Sequence, residues 1–216
     1  MPPSWGKFPV VLHGIPYIMV PAVVATLAGL WGNLILFIPC CVLTLFTLSF
    51  FRNPHRTIPG GDGVIVSPAD GTVVSVDHEA TAPIRGDGAL RISIFMSVFN
   101  VHVNRVPIDS TVREIRYQKG RFLPAMKESA SETNEQNMLH LQGSTDVDVV
   151  LVQVAGIVAR RIVCYAERGS LVHRGDIFGA ILFGSRVDVY LPPAVQVKVR
   201  TGDKVRGGET VLGVID

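Results

Sequence analysis

The stretch GAILFGSRVDVYLP, residues 179–192, decides the fold. Val187, Val189 and Leu191 alternate with Arg186, Asp188 and Tyr190, the period of a β-strand with two unlike faces. Gly184 and Ser185 interrupt the run at its centre, and a glycine inside a strand pattern marks a bulge or a tight bend. Taken alone, the pair is a bend.

The same texture extends on both sides of it. VIVSPADGTVVSVD (64–77), LRISIFMSVFNVHVNRVP (90–107), STVREIRY (110–117), VDVVLVQVAG (147–156), RRIVCYAE (160–167) and VQVKVRTGD (195–203) are short runs rich in Val and Ile, separated by Gly, Asp and Pro. They predict a mainly β domain over residues 64–216. GSLVHRGDIFG (169–179) and GDKVRGGETVLG (202–213) echo each other: a glycine, a valine three residues on, then a glycine followed by an acid. Both read as hairpin turns of the barrel-sandwich-hybrid type, the architecture of biotinyl and lipoyl carriers. One segment resists the strand reading. Residues 120–143, GRFLPAMKESASETNEQNMLHLQG, are polar and lack alternation, and predict a long connection of the kind that serves as a lid.

The N-terminal part differs in kind. The chain has 216 residues, 48% apolar and only 18% charged, and the imbalance is concentrated before residue 52. From Phe8 to Phe51, His13 is the only His, Asp, Glu, Lys or Arg. Two apolar stretches flank Trp31-Gly32-Asn33, each approaching the roughly 30 Å of a hydrocarbon core at about 1.5 Å per residue. Residues 1–51 therefore predict a membrane-anchoring helical hairpin, and 52–63 a linker. A signal peptide would need a basic leader and a small-residue cleavage site, neither of which is present. Lys7 on one flank, and Arg52, His55 and Arg56 on the other, place both ends and the β domain on the cytoplasmic side of the cell membrane.

Cys40, Cys41 and Cys164 form neither a disulfide framework nor a metal-type spacing. A net charge of +2 gives no reason to expect nucleic acid as a partner. The local cluster Arg113, Arg116, Lys119 and Arg121 reads as a solvated strand face that, beside a membrane, also attracts anionic headgroups.

Serine is a weak nucleophile unless a base takes its proton and a third group orients the base. The β domain offers His78, His102, His140 and His173. His102 lies among the polar residues Asn100, Asn104 and Arg105, and Asp70 sits in the turn SPADG. Each has an ordinary explanation, Asp70 as a turn residue and His102 as a hydrogen-bonded strand histidine. Ser185, His102 and Asp70 together contain the groups of a nucleophile, a base and an orienting acid, but sequence distance does not show that they meet.

The order FFRNPHRTIP (50–59), VSPADGTV (66–73), FMSVFNVHVNR (95–105), GRFLPA (120–125) with NEQN (134–137), and FGSRVDVYLP (183–192) resembles the phosphatidylserine decarboxylase family in its short form. The resemblance runs from about Phe50 to the C-terminus. It implies a proenzyme that cuts itself between Gly184 and Ser185 into chains 1–184 and 185–216, which remain together as a heterodimer. It implies a pyruvoyl group made from Ser185 as the only cofactor, with no metal and no external cofactor, and a homodimer is open. The substrate is then a membrane phospholipid, phosphatidylserine or an archaeal ether-lipid analogue, decarboxylated to the corresponding ethanolamine lipid. By the same carry-over Asp70 orients His102, and His102 deprotonates Ser185. Lys119, Arg121 and Lys127 then lie at the headgroup mouth. Some members carry a second histidine where this chain has Arg105. Arginine is no general base at ordinary pH, so Arg105 is read as binding substrate carboxylate or phosphate.

Other classes fit less well. A membrane-tethered biotinyl- or lipoyl-like adaptor needs a lysine at a hairpin tip, which AILFGSRVD lacks. A zinc peptidase of the lysostaphin type needs a His-x-His pair, and VHVNR has one histidine. A pyruvoyl decarboxylase of soluble amino acids would have no use for the apolar hairpin.

Overall fold

The computed structural model describes residues 9–121, 123, 133–143, 147–156, 161–182 and 184–215. The chain divides into two compact units between His55 and Arg56, inside the segment expected as a linker.

In the first unit a 3-10 turn, Leu12–Gly14, leads into helix α1, Ile15–Leu30, and helix α2 spans Leu34–Phe50. Pro16 stands in the first turn of α1, where its missing N–H leaves nothing unsatisfied. Asn33 caps α2, its side-chain oxygen accepting the Leu36 N–H at 3.2 Å. Leu12–Leu30 is long and apolar enough to cross a membrane, while Leu34–Phe50 is apolar but shorter. Ile35, Trp31 and Leu30 are exposed, so this apolar surface suits association with a membrane.

The second unit is mainly β. Its eight-stranded sheet runs, edge to edge, β13 (Lys204–Val205), β2 (Gly71–Thr81), β3 (Gly88–Met96), β11 (Ser185–Leu191), β7 (Asp148–Ala155), β6 (Gln136–Gly143), β5 (Ser110–Gln118) and β9 (Leu171–Val172). Every neighbouring pair is antiparallel. Two three-stranded sheets complete the unit. One joins β1 (Val64–Val66), β14 (Val211–Val214) and β12 (Gln196–Val197); the other joins β4 (Val103–Arg105), β10 (Ile177–Ile181) and β8 (Ile162–Cys164).

β11 is an interior strand with a ladder on each side. Val187, Val189 and Leu191 pack with Ile92, Ile94 and Leu151 in the main core, each such side chain contributing about 1.5–3 kcal/mol of burial. The alternation expected here is present, yet the polar face does not reach water. All seven residues of β11 are buried, because Arg186 and Asp188 neutralise each other at 2.9 Å.

The irregular connection expected over 120–143 requires correction at its end. Residues 136–143 form β6, hydrogen-bonded along its length to β5 and β7. Alternation is hidden there because Asn137 lies on the core-facing side with Leu139 and Leu141, while Met138 is buried on the opposite side. The lid expectation for residues 124–132 falls outside the described residues.

Candidate functional site

Gly184 has φ of +60°, a left-handed conformation that L side chains adopt at a cost, and Ser185 immediately enters the ladder opposite Met96 and Ala155. The bend read from the sequence is thus a junction: a turned residue joined to a strand residue clamped from both sides. Ser185 is fully buried, and its Oγ donates to the Met96 thioether at 3.5 Å. A thioether is a weak acceptor, which leaves the hydroxyl poorly tied. Covalent geometry already sets Oγ beside the Gly184 carbonyl carbon.

His102 is buried, with Nδ1 2.9 Å from the Asn100 carbonyl. A carbonyl only accepts, so Nδ1 carries a proton, and in the neutral ring it is Nε2 that holds the lone pair a base needs. Asn100 is itself fixed, its side-chain oxygen accepting the Ser97 N–H at 2.8 Å and the Ser97 hydroxyl at 2.7 Å. The His102 carbonyl accepts the Ile181 N–H at 3.2 Å, tying the histidine's backbone to the strand that leads to Gly184.

Asp70 is placed differently from the carried-over expectation. Both its oxygens bond the Arg56 guanidinium, at 2.8 and 3.0 Å, and Oδ1 also accepts the Gly207 N–H at 2.8 Å. It orients Arg56 rather than His102, whose Nδ1 is taken by Asn100. The physical reason is competition: a charged guanidinium, its Nη2 shared between both carboxylate oxygens, holds a carboxylate more strongly than a neutral imidazole does. Glu209 joins the cluster, 3.3 Å from Arg56, and accepts the Thr57 N–H at 3.3 Å. Burial raises the Glu209 carboxyl, but Thr57 and Arg56 outweigh it and hold the group below its ordinary value.

Arg105 donates to the Gly175 carbonyl at 2.9 Å. Burial first, and the neighbouring Arg56 second, pull its guanidinium below the ordinary arginine value, while Asp70 and Glu209 oppose them. Lys119 and Arg121 are exposed just past β5. The backbone of Arg121 bonds Thr133 and Glu135, joining GRFLPA to NEQN. Lys127 lies outside the described residues. Among the described residues, no group of three or more His, Cys, Asp or Glu could hold a metal ion.

Sequence reasoning missed a set of buried amides beside Ser185. Asn137 Nδ2 donates to Gln153 Oε1 at 2.8 Å, Gln153 Nε2 donates to Asn104 Oδ1 at 2.8 Å, and Asn104 Nδ2 lies 3.7 Å from the Met96 sulfur. Asn134 bonds both Leu123 and the carbonyl of Ala155, the residue opposite Ser185. The available signal was a lone glutamine in VVLVQVA (149–155), on the side of the strand that should be apolar.

Comparison with known proteins shows the family of the chain. The family model described as phosphatidylserine decarboxylase matches residues 43–213. A phosphatidylserine decarboxylase proenzyme from Pelobacter propionicus is 46% identical over 215 residues, covering 95% of this chain and 96% of its own. Proenzymes of the same name from Geotalea uraniireducens and Geobacter metallireducens are 44% and 43% identical, each match covering 96% of this chain and 97% of the relative.

Proposed function

The chain belongs to the phosphatidylserine decarboxylase family of carboxy-lyases, and from that premise we propose that it cuts itself at Gly184-Ser185 and then decarboxylates phosphatidylserine through a pyruvoyl group. One observation carries the reading: a serine with a weakly held hydroxyl follows a left-handed glycine at the head of a buried strand.

His102 Nε2 takes the Ser185 proton as Oγ attacks the Gly184 carbonyl carbon. The carbon–nitrogen bond breaks, the nitrogen gains a proton, and an ester joins residue 184 to Oγ. Loss of the Ser185 α-proton expels the Gly184 carboxylate and leaves a dehydroalanine. Water then enters and ammonia leaves, so that chain 185–216 begins with a pyruvoyl group. Ser185 fits as its precursor because its side chain is enclosed, where the reactive product is shielded from solvent. When formed, the group supplies a carbonyl that takes up the substrate amine and draws off the electrons released with carbon dioxide.

The two chains stay together. β11 is hydrogen-bonded to β3 and β7, and β13 and β14 to β2 and β1, so every partner of the small chain's longest strand belongs to the large chain. Arg105, Lys119, Arg121 and Lys127 supply positive charge for the substrate's phosphate and carboxylate. The apolar helices hold the chain at the cell membrane, with the β unit on the cytoplasmic side.

The test is conversion of phosphatidylserine in detergent–lipid micelles to phosphatidylethanolamine by the purified protein. Conversion that stops after treatment with a carbonyl reagent is expected. A protein that is cut yet forms no phosphatidylethanolamine would refute the assigned substrate.

A further inference from the structure

Buried amides are costly unless paired, and the core cluster around them is built of apolar side chains. Asn104, Gln153 and Asn137 are nonetheless buried beside one another, drawn from three strands of two sheets. Their bonds run in one direction, each side-chain N–H donating to the next carbonyl oxygen from Asn137 to Asn104. The last donor, Asn104 Nδ2, ends on the sulfur that also receives the Ser185 hydroxyl. Two good donors thus share one poor acceptor.

We infer that Asn104 is the donor that stabilises the oxygen made negative when Ser185 attacks Gly184, and that Gln153 and Asn137 position it. The inference rests on the self-cutting reading above. A fixed N–H in an enclosed site acts strongly on a developing oxyanion because it is already oriented and water is excluded. Gln153 sets that orientation: by donating to Asn104 Oδ1 it turns the opposite edge of the amide toward Met96 and Ser185. Asn137 fixes Gln153 in turn, which gives the NEQN segment a role at the cut site. The alkoxide forms on the Gly184 oxygen, accepts the Asn104 hydrogen bond, and collapses as the carbon–nitrogen bond breaks. Asn104 loses no proton and is unchanged at the end.

Cutting of freshly synthesised chain is followed over time in the natural sequence and in Asn104→Leu, Asn104→Asp and Gln153→Glu. Thermal melting is measured for the same substitutions in a Ser185→Ala background, where no cutting intervenes. Asn104→Asp keeps size and the acceptor for Gln153 but replaces the donor with oxygen. Gln153→Glu still accepts from Asn137 but makes Asn104 turn its N–H away from Ser185. Removing one such donor typically slows catalysis about 100-fold or more, and that loss is expected in all three variants. Hydroxylamine, which cleaves an accumulated ester, should not restore cutting, because ester formation is the slowed step. Normal cutting in Asn104→Asp, with only its melting changed, would overturn the inference and make the amides structural. Restoration by hydroxylamine would also overturn it, by moving the defect after the ester. Failure of the natural chain to cut would instead refute the self-cutting reading itself.

Discussion

Two halves of the β unit are built alike and end differently. In one half the Gly202 N–H donates to Val73 O at 2.8 Å and the Gly208 N–H to Ser67 O at 2.7 Å; in the other, Gly169 donates to Val112 O at 2.7 Å and Gly175 to Val106 O at 2.8 Å. An aspartate caps each turn, Asp70 accepting the Gly207 N–H and Asp109 the Arg174 N–H. β1, β14 and β12 therefore correspond to β4, β10 and β8. The halves diverge in the partner that the aspartate meets. Asp109 pairs with His173 where both are exposed, whereas both oxygens of Asp70 hold the Arg56 Nη2 in a nearly buried pair. They also diverge in the way the chain continues: β14 leads to the last residues, while β10 leads to Gly184-Ser185 and β11. Capping the turn is thus a property of the architecture, and the buried cation and the Gly184-Ser185 junction are additions to it.

The largest expected effect separates the halves. Arg56→Met strands the Asp70 carboxylate and should lower stability by about 3–5 kcal/mol in a Ser185→Ala background, against less than about 1 kcal/mol for His173→Ala. Equal losses in urea melts would break the comparison. Next come effects that the halves should share. Gly169 and Gly202 have φ of +83° and +98° with open space where a Cβ would stand, so alanine at either should cost about 1–2 kcal/mol through backbone strain alone. A clear inequality would mean that the turns are not equivalent. Asp109→Asn keeps an acceptor for Arg174 and loses only an exposed pair, which should change stability by under about 0.5 kcal/mol.

The smallest effect is in acid. The folded Glu209 carboxyl is held below its ordinary value, so its contribution is complete above the unfolded value of about 4.3 and is lost as pH falls through the folded one. Unfolding free energy measured below about pH 4 should fall less steeply in Glu209→Gln.

The halves were legible in the sequence because a left-handed turn requires glycine, and the echo of Gly169 and Gly175 in Gly202 and Gly208 recorded that requirement. The apolar helices and β11 were legible through periodicity. β6 was hidden because Asn137 occupies a position that alternation assigns to apolar residues. Asn104 and Gln153 were missed for a further reason: a sequence shows that a polar residue points inward but not which partner satisfies it. Asp70 was recognised as a turn residue, and its hold on Arg56 was invisible because those residues meet only when the linker segment folds back onto the SPADG turn.

The measurement that tests self-cutting most directly is the intact mass, under denaturing conditions, of the purified chain beside its Ser185→Ala variant. Two chains are expected in the first, the smaller beginning with a pyruvoyl-blocked residue 185, and one uncut chain in the second. A single full-length chain in both would contradict self-cutting and leave Gly184-Ser185 as no more than a bend between strands.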